Sequence, residues 1–408
     1  RAGGMGCGRQ GSGKYSTLDG TPLPLFARQR AASRSSLRRL LCLGIVVFSL
    51  LNALTWHSLL HHQSIASNER MLALRAAPGA PLMTHGEALE AMYPWSADRV
   101  PLSHNHSRPC TQQHTILIVA DMDRDSRNGS VWESSLRRGS LCLLLNGSYT
   151  VDWLDEVPLR STLNQGGRGM ELSTLTWFSG KLLACDDRTG VVYHILGGHP
   201  HPEVILADGD GSMAGKGFKC EWASVRHGQL YLGSVGREMT NARNEVLHRN
   251  SQYVKVIDSS GSVQHLNWTA QYEALRAAAN TSRPGYLWHE VAVWDDLHDR
   301  WLFWPRKESR EAYNPKDDES RGSNLILTAS GSAFENVHYA RAGEHIMNRG
   351  FSSVKLLPHA PDIAIALRTE EVDGRVASFV CVVHTNGTVL MTDTFIADRK
   401  YEGIEVAV

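Results

Sequence analysis

From Thr115 onward the chain reads as short apolar runs broken by polar turns. The runs cover 115–121, 141–145, 150–154, 182–185, 191–196, 229–232 and 253–257, then 301–304, 324–327, 363–367, 376–384 and 389–392. Short runs of Val, Ile, Leu and aromatic residues bounded by turn residues predict strands. Asn146-Gly147, Ser179-Gly180, Ser260-Gly261 and Asn386-Gly387 link several of them as tight hairpin turns. Only 272–279 has a clear helical pattern. The pattern predicts one all-β domain over 114–408, too large for a simple sandwich and built from evenly spaced hairpins.

The first sixty residues follow a different pattern. Arg28, Arg30, Arg34, Arg38 and Arg39 precede an apolar run over 40–56, which 58–60 extend. That length approaches the ~20 residues that span a bilayer, and flanking basic residues mark the cytosolic side. The expected organisation is a cytosolic Arg-rich tail (1–39), a signal-anchor transmembrane helix (40–60), a lumenal stem without periodicity (61–113) and the β domain. Six Asn-x-Ser/Thr sequons, at Asn105, Asn128, Asn146, Asn267, Asn280 and Asn386, all follow the anchor, as a lumenal, glycosylated domain requires. Five of the seven cysteines also follow it, so at least one of those thiols stays free or pairs between chains. Lys+Arg and Asp+Glu each total 42. Zero net charge argues against a nucleic-acid partner.

Four segments of the β region share one plan: an opening acid or Ser, a strand, a turn and a second strand ending in charge. The openers are Glu171, Glu221, Glu290 and Ser352, and Glu402 opens a fifth unit that the chain end cuts short. The missing second strand is supplied by 115–120, so the two termini share a unit and close a ring. Spacings of 50, 69, 62 and 50 residues between openers suit five propeller blades with variable loops. The first strand of a blade lines the axis, so the openers converge there. Four carboxylates at close range need a counter-charge, and a calcium ion with oxygen ligands supplies it in the loosest geometry. The alternative is that these acids cap strands at the surface.

Eight blocks in order resemble the soluble calcium-activated nucleotidase (apyrase) family. They begin at Arg168-Gly-Met-Glu-Leu-Ser173, Asp186-Asp-Arg-Thr-Gly-Val-Val-Tyr193, Asp208-Gly-Asp-Gly211 and Lys216-Gly-Phe-Lys219 with Glu221-Trp222. Lys316-Asp-Asp-Glu319, Gly350-Phe-Ser-Ser353, Gly374-Arg-Val-Ala-Ser378 and Tyr401-Glu-Gly-Ile-Glu405 complete the set. The resemblance implies a five-bladed β-propeller and calcium-dependent hydrolysis of nucleoside di- and triphosphates, UDP and GDP favoured, in the Golgi or ER lumen in support of glycosylation. It also implies a type II membrane protein held by one anchor, with possible proteolytic release, and leaves a homodimer open. Carried over residue by residue, the family's calcium site falls on Ser173, Glu221, Glu290, Ser352 and Glu402. Thr174 stands where a relative carries Asp. The repeat and the resemblance differ only in placing Glu171 or Ser173 on the axis.

Hydrolysis of a phosphoanhydride needs charge neutralisation, an aligned water and a base. Arg188 and Arg306 end second strands at equivalent positions, with Arg368 nearby, and Arg matches phosphate oxygens in bidentate fashion. Asp121 and Asp123 end an apolar strand at the same mouth of the ring. The expected catalytic residues are Asp123, for the water, and Arg306, for the transition-state charge. Asp121, Arg168, Asp187, Arg188 and Lys219 are the expected substrate contacts. Gly8-Arg-Gln-Gly-Ser-Gly-Lys14 mimics a phosphate loop, but Tyr15 replaces its Ser/Thr and no strand precedes it. Paired carboxylates also suit a propeller glycosidase, and a non-catalytic binding propeller is the third reading.

Overall fold

The structure is a computed structural model and describes residues 110–407. The expected tail and anchor lie outside that range, as does nearly all of the stem. Among the described residues no helix is long and apolar enough to cross a membrane.

Among the described residues five antiparallel blades form the ring, four of them four-stranded and the fifth extended by the short strand Arg127–Asn128, and two small two-stranded sheets accompany them. The first holds Thr176–Phe178, Lys181–Cys185, Val191–Leu196 and His199–Ile205. The second holds Trp222–Arg226, Gln229–Gly233, Tyr253–Ile257 and Val263–Asn267. Tyr286–Asp295, Arg300–Ser309, Leu325–Ser330 and Asn336–Arg341 form the third. Arg349–Leu357, Ala360–Val372, Arg375–His384 and Val389–Ala397 form the fourth. The fifth joins the two ends of the domain: Lys400–Val406 is its inner strand, followed by Cys110–Asp121, Val131–Leu144 and Tyr149–Ser161. Ile116 pairs with Val406 and Ile118 with Ile404 across that closure, as the truncated fifth repeat requires. Each inner strand contacts the inner strands of both neighbouring blades, closing the ring.

Apolar faces between blades supply the core. Trp222, Tyr231, Trp268, Trp301 and Phe303 interlock between the second and third blades, with Trp268 and Trp301 edge to face at 5.4 Å. Such pairs add roughly 0.5–1.5 kcal/mol each beyond area burial. Trp222 follows Glu221 directly, so this packing fixes where the opener points. Phe351 and Trp304 play the same part beside Ser352, with ring centroids 4.8 Å apart.

The middle strands follow the apolar runs closely, and Val191–Leu196 and Tyr253–Ile257 match them residue for residue, whereas each inner strand contains or follows its repeat opener and carries none of the runs. The outer strands His199–Ile205, Val263–Asn267 and Asn336–Arg341 carry no such run, because they are half-exposed edges rich in His, Asn and Gln. Val131–Leu144 and Tyr149–Ser161 are far longer than their apolar runs, which lie at the ends joined by the Asn146-Gly147 turn. The first strand begins at Cys110, four residues upstream of 114, and a Cys110–Cys142 disulfide ties it to its neighbour. Cys185, Cys220 and Cys381 are buried free thiols, in line with the odd count. The helix spans Thr269–Ala278, starting three residues before its apolar pattern.

Candidate active site

Three openers sit where the ladder of their inner strand shifts register. Glu290 lies in the break between His289 and Ala292, Ser352 in that between Phe351 and Ser353, and Glu402 between Tyr401 and Gly403. A bulge frees a residue from its partner and re-aims its side chain. Glu221 stands one residue before its strand, its N–H donating to the Gly233 carbonyl. All five openers are buried, which excludes the surface-cap alternative.

A cavity of about 270 Å³ opens where these strands begin. Seven acidic and six basic side chains line it, and Asp121 lies directly behind, 2.6 Å from Lys400 Nζ. The formal charge of the group is therefore −2. Arg306 is its hub: Nη1 donates to both Glu290 oxygens at 2.9 Å and to Glu402 Oε1 at 2.7 Å, and Nη2 to Glu371 at 3.2 Å. Lys219 pairs with Asp187 and, at 2.5 Å, with Glu221. Arg168 grips Glu171, Nε to Oε1 at 2.7 Å, and reaches Asp123 at 3.0 Å. Lys400 lies 3.0 Å from Asp123 and 3.4 Å from Glu402.

Burial raises the carboxyl pKa values here, because it disfavours the charged form. Asp121 and Glu221 are pushed well above the usual range, and Glu171 and Glu290 to about 7. Burial acts the same way on Glu402, but Lys400 and Arg306 outweigh it and hold the carboxyl at about 2. Several buried polar atoms have no hydrogen-bond partner. Ser173 Oγ and Asp187 Oδ1 are oxygens that can take a cation, and Arg188 Nε and Arg306 Nε are donors that can take a phosphate oxygen.

The structure brings Asp123, Arg168, Asp187, Arg188, Lys219, Glu221, Glu290, Arg306 and Glu402 to the wall of one cavity, with Asp121 behind it. Glu221 and Glu290 also border a narrow axial space with Ser173 and Ser353. Glu171 does not border that space. It faces the cavity on Arg168, so on the axis the repeat reading gives way to Ser173. Ser352 borders neither space, and its hydroxyl donates to the Tyr401 carbonyl at 3.0 Å. Any ligation by Ser352 therefore falls to its main chain. Arg368 is turned away from the cavity, bonded to Asp393 at 2.9 Å and to the Arg349 carbonyl. Asp121, Glu171 and Asp187 form a second group of converging oxygens, with one ligand atom from each within 4.8 Å of the others.

Sequence reasoning missed Lys400, Trp288, Lys216 and Glu371. Lys219, Trp288 and Lys400 each stand two residues before an opener. Alternate residues share a strand face, so this spacing is the signal that finds Trp288 and Lys400. Lys216 and Glu371 carry no such mark.

Gly350 occupies the corresponding place before Ser352. A Cβ there would lie 1.9 Å from the Arg306 carbonyl oxygen. Gly350→Ala is expected to push the Arg306 strand aside, costing about 1–3 kcal/mol as overpacking does and lowering activity tenfold or more. Thermal melting and kcat/KM check this; a wild-type value for both would mean that the strands separate freely.

A model described as Apyrase matches residues 120–407. The chain is 45% identical over 313 residues to "Soluble calcium-activated nucleotidase 1" of Mus musculus, covering 76% of this chain and 77% of that protein. It is 39% identical over 298 residues to "Apyrase" of Cimex lectularius, covering 71% and 81%.

The chain belongs to the apyrase family.

"Apyrase apy-1" of Caenorhabditis elegans is 35% identical over 303 residues, covering 72% of this apyrase and 85% of its own length. A solved glycoside hydrolase covers 69% of this apyrase and 67% of its own chain, but a TM-score of 0.33 at 11% identity carries no argument. Family membership supports nucleotide phosphate hydrolysis and gives the charged cavity of this apyrase a substrate class.

Proposed function

We propose that this apyrase hydrolyses nucleoside diphosphates, UDP and GDP ahead of ADP, to the monophosphate and phosphate, with calcium bound at the propeller axis. The observation that carries the reading is the cavity itself. It holds unpaired guanidinium Nε donors for phosphate and, for a cation, more carboxylates than basic side chains, with Asp121 adding a further carboxylate behind them. The donor set fits calcium, a hard cation that takes carboxylate, hydroxyl and carbonyl oxygens. Ser173, Glu221, Glu290, Ser352 through its main chain, and Glu402 would hold it.

Bound calcium supplies charge neutralisation to the phosphate oxygens. Arg306 and Arg188, each with an unpaired Nε, and Lys219 bind the remaining oxygens and the charge that grows in the transition state. Asp123 takes the proton from the attacking water. Its backbone is held at φ +47°, its carboxylate is fixed at 3.0 Å by both Arg168 and Lys400, and its side chain still reaches solvent. Strain of this kind collects at functional sites. Water oxygen bonds to the terminal phosphorus, the bridging P–O bond breaks, and the departing nucleoside monophosphate keeps the bridging oxygen and the electron pair. Asp121 supports Asp123 by accepting its N–H at 2.8 Å. Asp187 and Arg168 hold Lys219 and Asp123 in place.

The test is phosphate release from UDP, GDP and ADP with calcium, magnesium or chelator. The reading predicts release from UDP that calcium restores after chelation. Cleavage of a glycoside without metal, or no turnover at all, would instead support the glycosidase or the binding propeller.

Calcium needs ionised ligands, and a proton competes for Glu290 below its value of about 7. Lowering the pH from 8 to 6 is therefore expected to weaken calcium affinity by roughly tenfold, one pKa unit being 1.36 kcal/mol. Calcium titrations across that range check it, and a flat profile would take Glu290 out of the ligand set.

We further place the domain in the Golgi or ER lumen behind a single anchor at 40–60, where removal of UDP relieves a product of glycosyl transfer. Asn128, Asn146, Asn267, Asn280 and Asn386 are all exposed, which glycosylation at those sequons requires. Asn105 lies outside the described residues. Glycosidase treatment of the expressed protein is expected to increase its gel mobility. Sealed microsomes should shield the domain from external protease, and its digestion there would overturn the lumenal placement.

A further inference from the structure

Asp186 is wholly buried and forms no ion pair among the described residues. Three main-chain N–H groups hold its carboxylate instead. Oδ1 accepts from Arg188 at 2.9 Å and from Thr189 at 3.2 Å, and Oδ2 accepts from Met170 at 2.8 Å. Burial raises the Asp186 pKa, and the Arg188 and Thr189 donors oppose the rise. Asp186 does not border the cavity, but both residues that follow it do.

The two oxygens act at different ranges. Acceptance from the N–H groups two and three residues ahead is an Asx turn, a local device. Oδ1 makes that turn, which presents Asp187 and Arg188. Oδ2 reaches sixteen residues back, to the turn that carries Arg168 and Glu171. Met170 in that turn has φ +57°, a left-handed conformation that a non-glycine residue keeps only where its surroundings enforce it. Core packing holds the Met170 side chain, and Asp186 Oδ2 holds its main chain.

Main-chain bonds join the same two segments further along. Ser173 N–H donates to the Cys185 carbonyl at 3.0 Å, and Asp187 N–H to the Glu171 carbonyl at 2.9 Å. The Asp186 carboxylate extends this ladder by one residue, to Met170. Arg168 stands two residues beyond, gripping Glu171 and reaching Asp123 at 3.0 Å. On the other side Asp187 pairs with Lys219. Two turns that line the cavity thus share one buried anion.

We propose that Asp186 is a positioning residue of the cavity: its carboxylate ties the 168–171 turn to the 186–190 turn and so sets where Arg168 holds Asp123. Its bearing on turnover rests on the nucleotidase reading above.

Asp186→Asn tests the tie, because an amide has one acceptor oxygen and nearly the same shape. With that oxygen on the two donors of Arg188 and Thr189, the NH2 faces the Met170 N–H and the 168–171 turn is released. Hydrogen–deuterium exchange reads the release without any turnover. Exchange at Met170 is expected to rise by about tenfold or more in Asp186→Asn, while Trp222–Arg226 keeps its wild-type rate. Unchanged exchange at Met170 would overturn the proposal. If Asp186→Asn does not fold, Asp186→Ser replaces it: a hydroxyl keeps the local turn more weakly and has no second oxygen for Met170.

A double-mutant cycle with Arg168→Ala separates positioning from a general loss of stability. kcat/KM for UDP is expected to fall by about tenfold or more in Asp186→Asn, as for a misplaced group. If Asp186 acts through Arg168, the double variant is no slower than the slower single variant. Effects that multiply would make Asp186 a structural residue and overturn the proposal. Release of Met170 in a chain whose wild type hydrolyses no nucleotide would keep the tie and refute the nucleotidase reading alone.

Discussion

Arg306→Ala is expected to lower kcat/KM for UDP by on the order of a hundredfold, the effect of removing a transition-state charge partner. The structure adds a second consequence. Arg306 is buried and bridges Glu290, Glu402 and Glu371. Its loss strands two buried carboxylates, and breaking a buried ion pair from one side costs about 3–5 kcal/mol. The variant should therefore melt well below wild type without calcium and regain part of the difference with it, since the cation offsets the same carboxylates. Arg306→Lys keeps the charge but loses the planar fork, and should fall between the two. Near-wild-type turnover in folded Arg306→Ala would reduce Arg306 to a structural ion pair.

Glu221→Gln, Glu290→Gln and Glu402→Gln carry the second large effect. The three residues come from different blades, 69 and 112 positions apart, and only the closed ring assembles them. Each change removes one negative charge at nearly constant volume, so packing survives while calcium affinity falls. A ligand that binds only the folded chain stabilises it. Calcium should raise the wild-type melting temperature, and each substitution should shrink that rise. Glu402→Gln should also loosen Arg306, because Glu402 accepts from Nη1 at 2.7 Å. Equal calcium shifts in wild type and all three variants would remove calcium from the axis and leave Asp121, Glu171 and Asp187 as the place to look.

The ring was legible because the middle strands leave a strong imprint. Apolar runs such as Val191–Leu196 are largely buried, and the inner strands are marked instead by an opener at a fixed place in each repeat. Edge strands such as Asn336–Arg341 leave no imprint, since solvent accepts polar residues there. The axial set was half legible. Glu221, Glu290 and Glu402 announce themselves as isolated acids beside apolar strands, but composition does not reveal that Glu290 and Glu402 sit in bulges. Nor does it show that Glu171 is committed to Arg168, three residues away. Arg306 was legible as a phosphate ligand by position and illegible as a hub, because its partners lie 16, 65 and 96 residues distant. Asp123 and Arg168 meet through Asp123's left-handed turn, a backbone feature that Asp tolerates without advertising.

The most direct test of the calcium-centred account is the dependence of UDP hydrolysis on free calcium in wild type and Glu221→Gln. The account predicts no phosphate release in chelator and a saturable rise with calcium in wild type. In Glu221→Gln the same rise should move to at least tenfold higher calcium, with the plateau largely recovered. Identical curves for the two proteins, or full hydrolysis in chelator, would contradict it.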